Sequence, residues 1–172
     1  VVNSSYCQKK VARDERKYLP THSVANVTIY NLGSINIDHL YMLQTLPKPS
    51  ETLASIECMI NIGGKGMNIS VAAHRSDANV KHVGVIGMGD TVVRKMIDDL
   101  GLNTELISCF DAQTGHAIVY VDRNSENCIV VHGGANLHFR EVQVRQALSE
   151  AKPEDWLVLQ NETNANEMGI AI

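Results

Sequence analysis

Along most of the chain, short β-branched apolar runs alternate with segments whose apolar residues recur at helical spacing. Val24 to Leu32 reads as a first strand, closed by Gly33. Val80 to Ile86, Thr104 to Cys109 and Asp155 to Leu159 read as further strands, the first and last of buried type. Between them, Ile69, Val71, Ala72 and Ala73 fit one amphipathic helix. Val92 to Leu100, stopped by Gly101, and Phe139 to Ala151 fit two more, and another begins at Asn164. Such alternation implies βαβ units and a mostly parallel sheet flanked by helices, the Rossmann-like α/β class. Two stretches break it. Thr52 to Ile62, after the turn signal Leu46-Pro47-Lys48-Pro49-Ser50, reads as extended. His116 to Val121 and Asn127 to His132 read as a hairpin closed by a polar loop. The segments at about 52–62 and 116–132 are expected to form an antiparallel flap. Alternation along Ala117, Val119 and Val121, and along Ile129 and Val131, gives that flap an apolar face that needs a partner.

Composition narrows the class. The 172 residues suffice for one domain with a substantial core. A net charge of -4 argues against nonspecific nucleic-acid binding. No apolar run approaches membrane-spanning length and residues 1–17 lack the apolar core of a signal peptide, so a cytoplasmic protein is expected. Cys7, Cys58, Cys109 and Cys128 form no CxxC pair, which favours buried reduced thiols over disulfides or zinc. The seven histidines show no metal-ligand spacing, and no metal site is expected. Residues 1–23 are polar and charged. They read as a tail or solvated helix, or as the end of an upstream DNA-binding domain.

The candidate chemistry gathers around Gly63-Gly64-Lys65-Gly66-Met67-Asn68. Three glycines in four positions let the backbone turn tightly and approach another group closely. Exposed amides at the helix start that follows favour oxygen-rich or anionic groups, and Lys65 and Asn68 add a charge and an amide. The plain alternative is a strand-to-helix turn; the stretch is no Walker A loop, because no Ser or Thr follows the lysine. Just past the first strand, Asn36 and Asp38 alternate with Ile35 and Ile37, so both polar side chains share a face, suited either to neighbouring hydroxyls or to an Asx turn. Asp90 reads as a helix cap rather than a catalytic group. Asp38, the glycine turn and Glu162 all fall at expected carboxyl ends of strands, where ligands bind in open α/β sheets.

These residues also carry a resemblance. Gly33-Ser34-Ile35-Asn36-Ile37-Asp38, Leu46-Pro47-Lys48-Pro49 and Gly63 to Asn68 stand in order. Thr114-Gly115, Glu126-Asn127, Gly134-Ala135-Asn136 and Gln160-Asn161-Glu162 follow. Over about residues 26–172 the chain resembles the N-terminal part of ribokinase-like (pfkB) carbohydrate kinases, the ribokinases above all. The resemblance implies that Asn36, Asp38, Gly64, Lys65, Asn68 and Glu162 contact sugar hydroxyls, and that the two extended segments are a lid that pairs with a second subunit's lid. It also implies ATP and Mg2+ as cofactors of a complete enzyme, in which a carboxylate takes the proton of the attacking sugar hydroxyl. Two departures stand out. The turn Gly89-Asp90-Thr91-Val92 lacks the family's acidic residue and glycine after Gly-Asp. The second signature, Asp-Thr-x-Gly-Ala-Gly-Asp, is missing: Asp90-Thr91 is followed by Val-Val. No catalytic residue is therefore expected in this chain, and the base is expected beyond Ile172. The chain then reads as part of a sugar kinase, as a non-catalytic sugar-binding or lid-pairing module, or as the sugar-sensing domain of a regulator.

Overall fold

A computed structural model describes residues 27–164 and 169. The expectations for residues 1–23, for Cys7 and for a helix continuing past Asn164 lie outside the described residues. In chain order the strands and helices are β1 (Thr28–Leu32), β2 (Asn36–Met42), β3 (Glu57–Gly63), α1 (Lys65–Arg75), β4 (Asn79–Gly87) and α2 (Thr91–Asp98). They continue with β5 (Ile107–Phe110), β6 (Gly115–Val121), β7 (Asn127–His132), α3 (Glu141–Ala147) and β8 (Trp156–Leu159). A 3-10 turn spans Gly134–Leu137.

The first sheet runs β5-β4-β1-β8 and is parallel throughout. Period-two geometry sends alternate side chains to opposite faces, and each face has its own core. Met67 of α1 and Val93 and Ile97 of α2 pack with Ile35, Val80 and Ile86 on one side. Val144 and Ala147 of α3 pack with Tyr30, Leu32, Val83 and Val85 on the other. Each such side chain contributes about 1.5–3 kcal/mol by leaving water. The expected α/β architecture is present.

Asp90 caps α2: its Oδ1 accepts from the Val93 amide at 3.1 Å, and its Oδ2 accepts from the Thr114 hydroxyl at 2.7 Å. The third helix is shorter than its apolar pattern. Phe139 belongs to the core rather than to the helix, and its amide donates to Asn164 Oδ1 at 3.1 Å.

The second sheet, order β3-β2-β6-β7, corrects the expected flap. Its two segments do not pair with each other, because β2 lies between them, antiparallel to β3 and parallel to β6. Asn36, Asp38 and His39 interrupt the apolar pattern of β2, so the strand reads as a loop in sequence. Regular pairing in the first segment starts only at Glu57. The register puts Asp38, Asn61, Ala117 and Val131 on one face and His39, Ile60, Ile118 and Val130 on the other.

Two burial expectations fail for one reason, that edge strands leave side chains open. On β8, at the sheet edge, Trp156 is 67% exposed and Leu157 36%. Cys58, Cys109 and Cys128 are free and exposed rather than buried, on the edge strands β3, β5 and β7.

His82, on the α1 side of β4, is fully buried. Burial pushes its pKa from 6.5 down to about 4, with the Gly33 backbone opposing the shift. An unfolded chain takes up this proton near 6.5 and the folded one only near 4, so stability is complete above 6.5 and is lost as pH falls towards 4. The slope is at most about 1.4 kcal/mol per pH unit. Urea unfolding of the parent is expected to lose stability faster than His82→Phe across that interval, and parallel pH profiles would refute the assignment.

Candidate functional site

Gly64 takes a φ of 91° and caps α1, which starts at Lys65. The turn is held by a backbone contact: a Cβ added to Gly66 would lie 2.4 Å from the Gly33 carbonyl carbon. Any larger residue would push the helix start off the link between β1 and β2. This close approach lets Ser34 reach the first turn of α1. The Gly66 amide donates to Ser34 Oγ at 3.3 Å and the Met67 amide to the Ser34 carbonyl at 2.9 Å.

The third first-turn amide, that of Lys65, donates to Glu162 Oε2 at 3.3 Å. Lys65 Nζ reaches Glu162 Oε1 at 2.6 Å, and the Ser34 hydroxyl donates to Oε2 at 2.9 Å. Burial pushes the Glu162 pKa up, but the hydrogen bonds from Lys65 and Ser34 outweigh it and hold the carboxylate below its ordinary value. The expectation of helix-start amides open to a ligand is thus corrected. Those of Lys65, Gly66 and Met67 are taken, and the anion at this helix start is the chain's own Glu162.

Asp38 stands at the amino end of β2, not at the carboxyl end of a strand as its sequence position suggested. Its carboxylate lies across Gly63, where an added Cβ would overlap Oδ2. Burial first, then the charge of Glu162, push the Asp38 pKa up, with His39 opposing. Among the described residues no hydrogen bond reaches this carboxylate. It is a partly desolvated anion short of donors.

Asn36 is buried, and its Oδ1 accepts from Asn136 Nδ2 at 2.8 Å. Asn136 also accepts from the Ile35 amide at 2.9 Å and donates to the Ile35 carbonyl at 3.0 Å. Asn68 is exposed on α1 and lines a groove with Asn61, the cross-strand neighbour of Asp38. The fold therefore joins Gly64, Lys65 and Glu162 directly and sets Asp38 beside them. Asn36 forms the adjoining wall, and Asn68 sits one turn further along α1.

Sequence reasoning gave no site role to Ser34, Asn136 or Gln160, whose Oε1 accepts from the Ser34 amide at 3.3 Å. The signal for Asn136 was an amide beside two glycines and an alanine, a polar side chain where only a satisfied one can be buried. An open cavity of about 450 Å³ on the far face of the lid sheet, between Tyr41, Tyr120 and Glu51, has no part in this cluster.

Residues 28–166 match the pfkB family carbohydrate kinase model. The ribokinase of Haemophilus influenzae is 37% identical over 148 residues, covering 84% of this chain and 48% of that protein. The deoxyribokinase of Salmonella typhi is 30% identical, covering 82% of this chain and 47% of its own length. A crystal structure of a Cryptococcus neoformans ribokinase in complex with ADP superposes with a TM-score of 0.68 at 28% identity, covering 84% of this chain and 45% of that one. The chain spans about half the length of the curated relatives it matches.

Replacing Asn136 by Ala removes its three bonds and leaves the Ile35 backbone and the Asn36 amide unpaired in the interior. A loss on the order of 3 kcal/mol is expected in urea unfolding. Asn103→Ala, whose side-chain bonds are exposed and local, should stay within about 0.5 kcal/mol of the parent.

Proposed function

The chain belongs to the pfkB family of carbohydrate kinases, and from that premise we propose that it supplies the sugar-binding and lid part of an ATP-dependent kinase that phosphorylates a sugar hydroxyl. The observation that carries this reading is the donor-poor carboxylate of Asp38, partly buried against Glu162. An ionised carboxylate accepts from two neighbouring hydroxyls, and a vicinal diol supplies the donors this group lacks. Lys65 and Glu162 offer a donor and an acceptor at the edge of the same crevice. Gly64 offers backbone, Asn36 the wall and Asn68 an exposed amide one turn on. The ribokinase and deoxyribokinase relatives suggest a pentose.

The start of α1 does not fit a nucleotide phosphate. The first-turn amides of α1 are spent on Ser34 and Glu162, so no anion hole remains there. Among the described residues no group of three His, Cys, Asp or Glu gathers to hold a metal. We assign ATP, Mg2+ and the catalytic base to residues other than these.

The lid is proposed to pair with a second copy of the chain. Ala117 on the Asp38 face is buried, but Ile129 and Val131 on that face are exposed by 52% and 54%. The opposite face exposes Ile60 by 54% and Val130 by 59%. Among the described residues no helix is long and apolar enough to cross a membrane. Sedimentation of the full-length protein should show a concentration-dependent dimer that Ile60→Asp dissociates, and a monomer at all concentrations would rule it out.

The site is tested in the full-length protein by titrating D-ribose into Asp38→Ala and Asp90→Ala. Losing one or more charged hydrogen bonds at about 1.5–3 kcal/mol each weakens Asp38→Ala by roughly 10- to 150-fold or more. Asp90→Ala should lose about 1–2 kcal/mol of stability, as a cap does, and keep its affinity. Unchanged ribose binding by Asp38→Ala would show that the site is misplaced.

A further inference from the structure

Beneath the glycine turn lies a polar cluster that the sugar-site reading does not use. Asn31 of β1, Ser70 of α1 and His82 of β4 are all buried, at 0%, 0% and 1% exposure. Asn31 Nδ2 donates to the Gly66 carbonyl at 2.7 Å and to Ser70 Oγ at 2.8 Å. Ser70 Oγ lies 2.8 Å from His82 Nδ1.

Donor counting gives one consistent direction for this chain, which the His82 tautomer decides. The Asn31 amide has two protons, one for Gly66 and one for Ser70. The Ser70 hydroxyl then has one proton left, and it goes to His82 Nδ1. With Nδ1 as the acceptor, His82 is the neutral tautomer with its proton on Nε2; its full burial favours the neutral ring. Two atoms in the cluster, Asn31 Oδ1 and His82 Nε2, are buried without a partner. A network with two such atoms is a poor way to gain stability, since apolar side chains of similar shape avoid the penalty. What it does supply is a directional grip on the Gly66 carbonyl, one residue from Lys65 and two from Gly64.

We propose that Asn31, Ser70 and His82 form a positioning relay that ties β1 and β4 to the first turn of α1 and so sets where Gly64 and Lys65 stand at the sugar site. None of the three touches the sugar; they act through the Gly66 carbonyl. The proposal rests on the sugar-site reading for its functional consequence, but not for its geometry. The Gly33–Gly66 contact fixes how closely the helix approaches the strand, whereas the relay fixes its rotation about that point. An apolar cluster would fill the same space without choosing a rotation, because its contacts are not directional.

The test uses the full-length protein, with nitrogen-15 spectra of the His82 ring and of the Gly64, Lys65 and Gly66 amides, and D-ribose as the probe. In the parent, His82 is expected as the single Nε2–H tautomer. Asn31→Leu should displace those three amide resonances and raise the D-ribose Kd at least fivefold. Ser70→Ala should release His82 from its single tautomer and move the same amides by less. If Asn31→Leu does not fold, Ser70→Ala decides by the same readouts. A variant with lower stability but unmoved amides and unchanged Kd would show packing alone and overturn the relay, as would an Nδ1–H tautomer in the parent. If the parent does not bind D-ribose, the sugar reading falls, and the three amides in Asn31→Leu still decide the relay.

Discussion

Glu162 stands where three separate parts of the chain meet, and the position of everything around it follows from how that one carboxylate is held. It lies just past β8, yet its oxygens accept from Ser34 on the link between β1 and β2 and from Lys65 at the start of α1. A helix start is a ready site for a negative charge, and here the chain fills it itself. The lysine side chain is mostly exposed, so its pairing alone would count for little. The Ser34 hydroxyl and the Lys65 amide turn that pairing into a fixed geometry. The arrangement depends on Gly33 and Gly66 touching through their backbones; with any side chain between them Ser34 could not reach the helix.

The same constraint explains why the second sheet is attached where it is. The two sheets join through residues 33–36, 63–64 and 113–115, and polar side chains brace each crossing. Asn136 holds Ile35 and Asn36, while Thr114 accepts from the Gly87 amide and donates to Asp90. Buried polar groups of this kind are stable only when paired, and the Asn136 and Thr114 side chains are. The result is a firm hinge line carrying a sheet whose far strands are open. All six residues of β7 are exposed, and so are Ile56 and Ile60 on the other side of the lid. Firm support at one end and unburied surface at the other are what an element needs if it is to cover a ligand and meet another surface.

Asp38 gains its character from this setting and not from its own strand. Isolated, it would be an ordinary exposed carboxylate. Laid across Gly63 and facing Glu162, it is partly desolvated and repelled by a neighbouring charge, and its pKa rises. Glu162 shares the same neighbourhood and shifts the other way, because Lys65 and Ser34 supply the donors that Asp38 lacks. Two interacting carboxylates thus shift in opposite directions: Glu162 is held by Ser34 and Lys65, and Asp38 has no hydrogen-bond donor among the described residues.

Much of this was legible in the residues. Alternating apolar runs gave the parallel sheet and its helices, because the periods 2 and 3.6 are set by backbone geometry and survive any tertiary context. The Asp90 cap and the 116–132 hairpin were legible for the same reason: each is a local device whose defining pairs lie close along the chain. What stayed hidden depended on partners far along the chain. β2 was not seen as a strand partly because Asn36 answers to Asn136, a hundred positions away, and not to a local pattern. The exposure of the cysteines and of Trp156 followed from which strands became sheet edges, a matter of topology that composition does not encode. The sequence by itself determined the strands and helices of the parallel sheet and the glycine turn beside it. Only the tertiary structure decided that Glu162 would fill the helix start and Asp38 would stay open, because hydrogen bonds are allotted by distance, and distance is set by the fold.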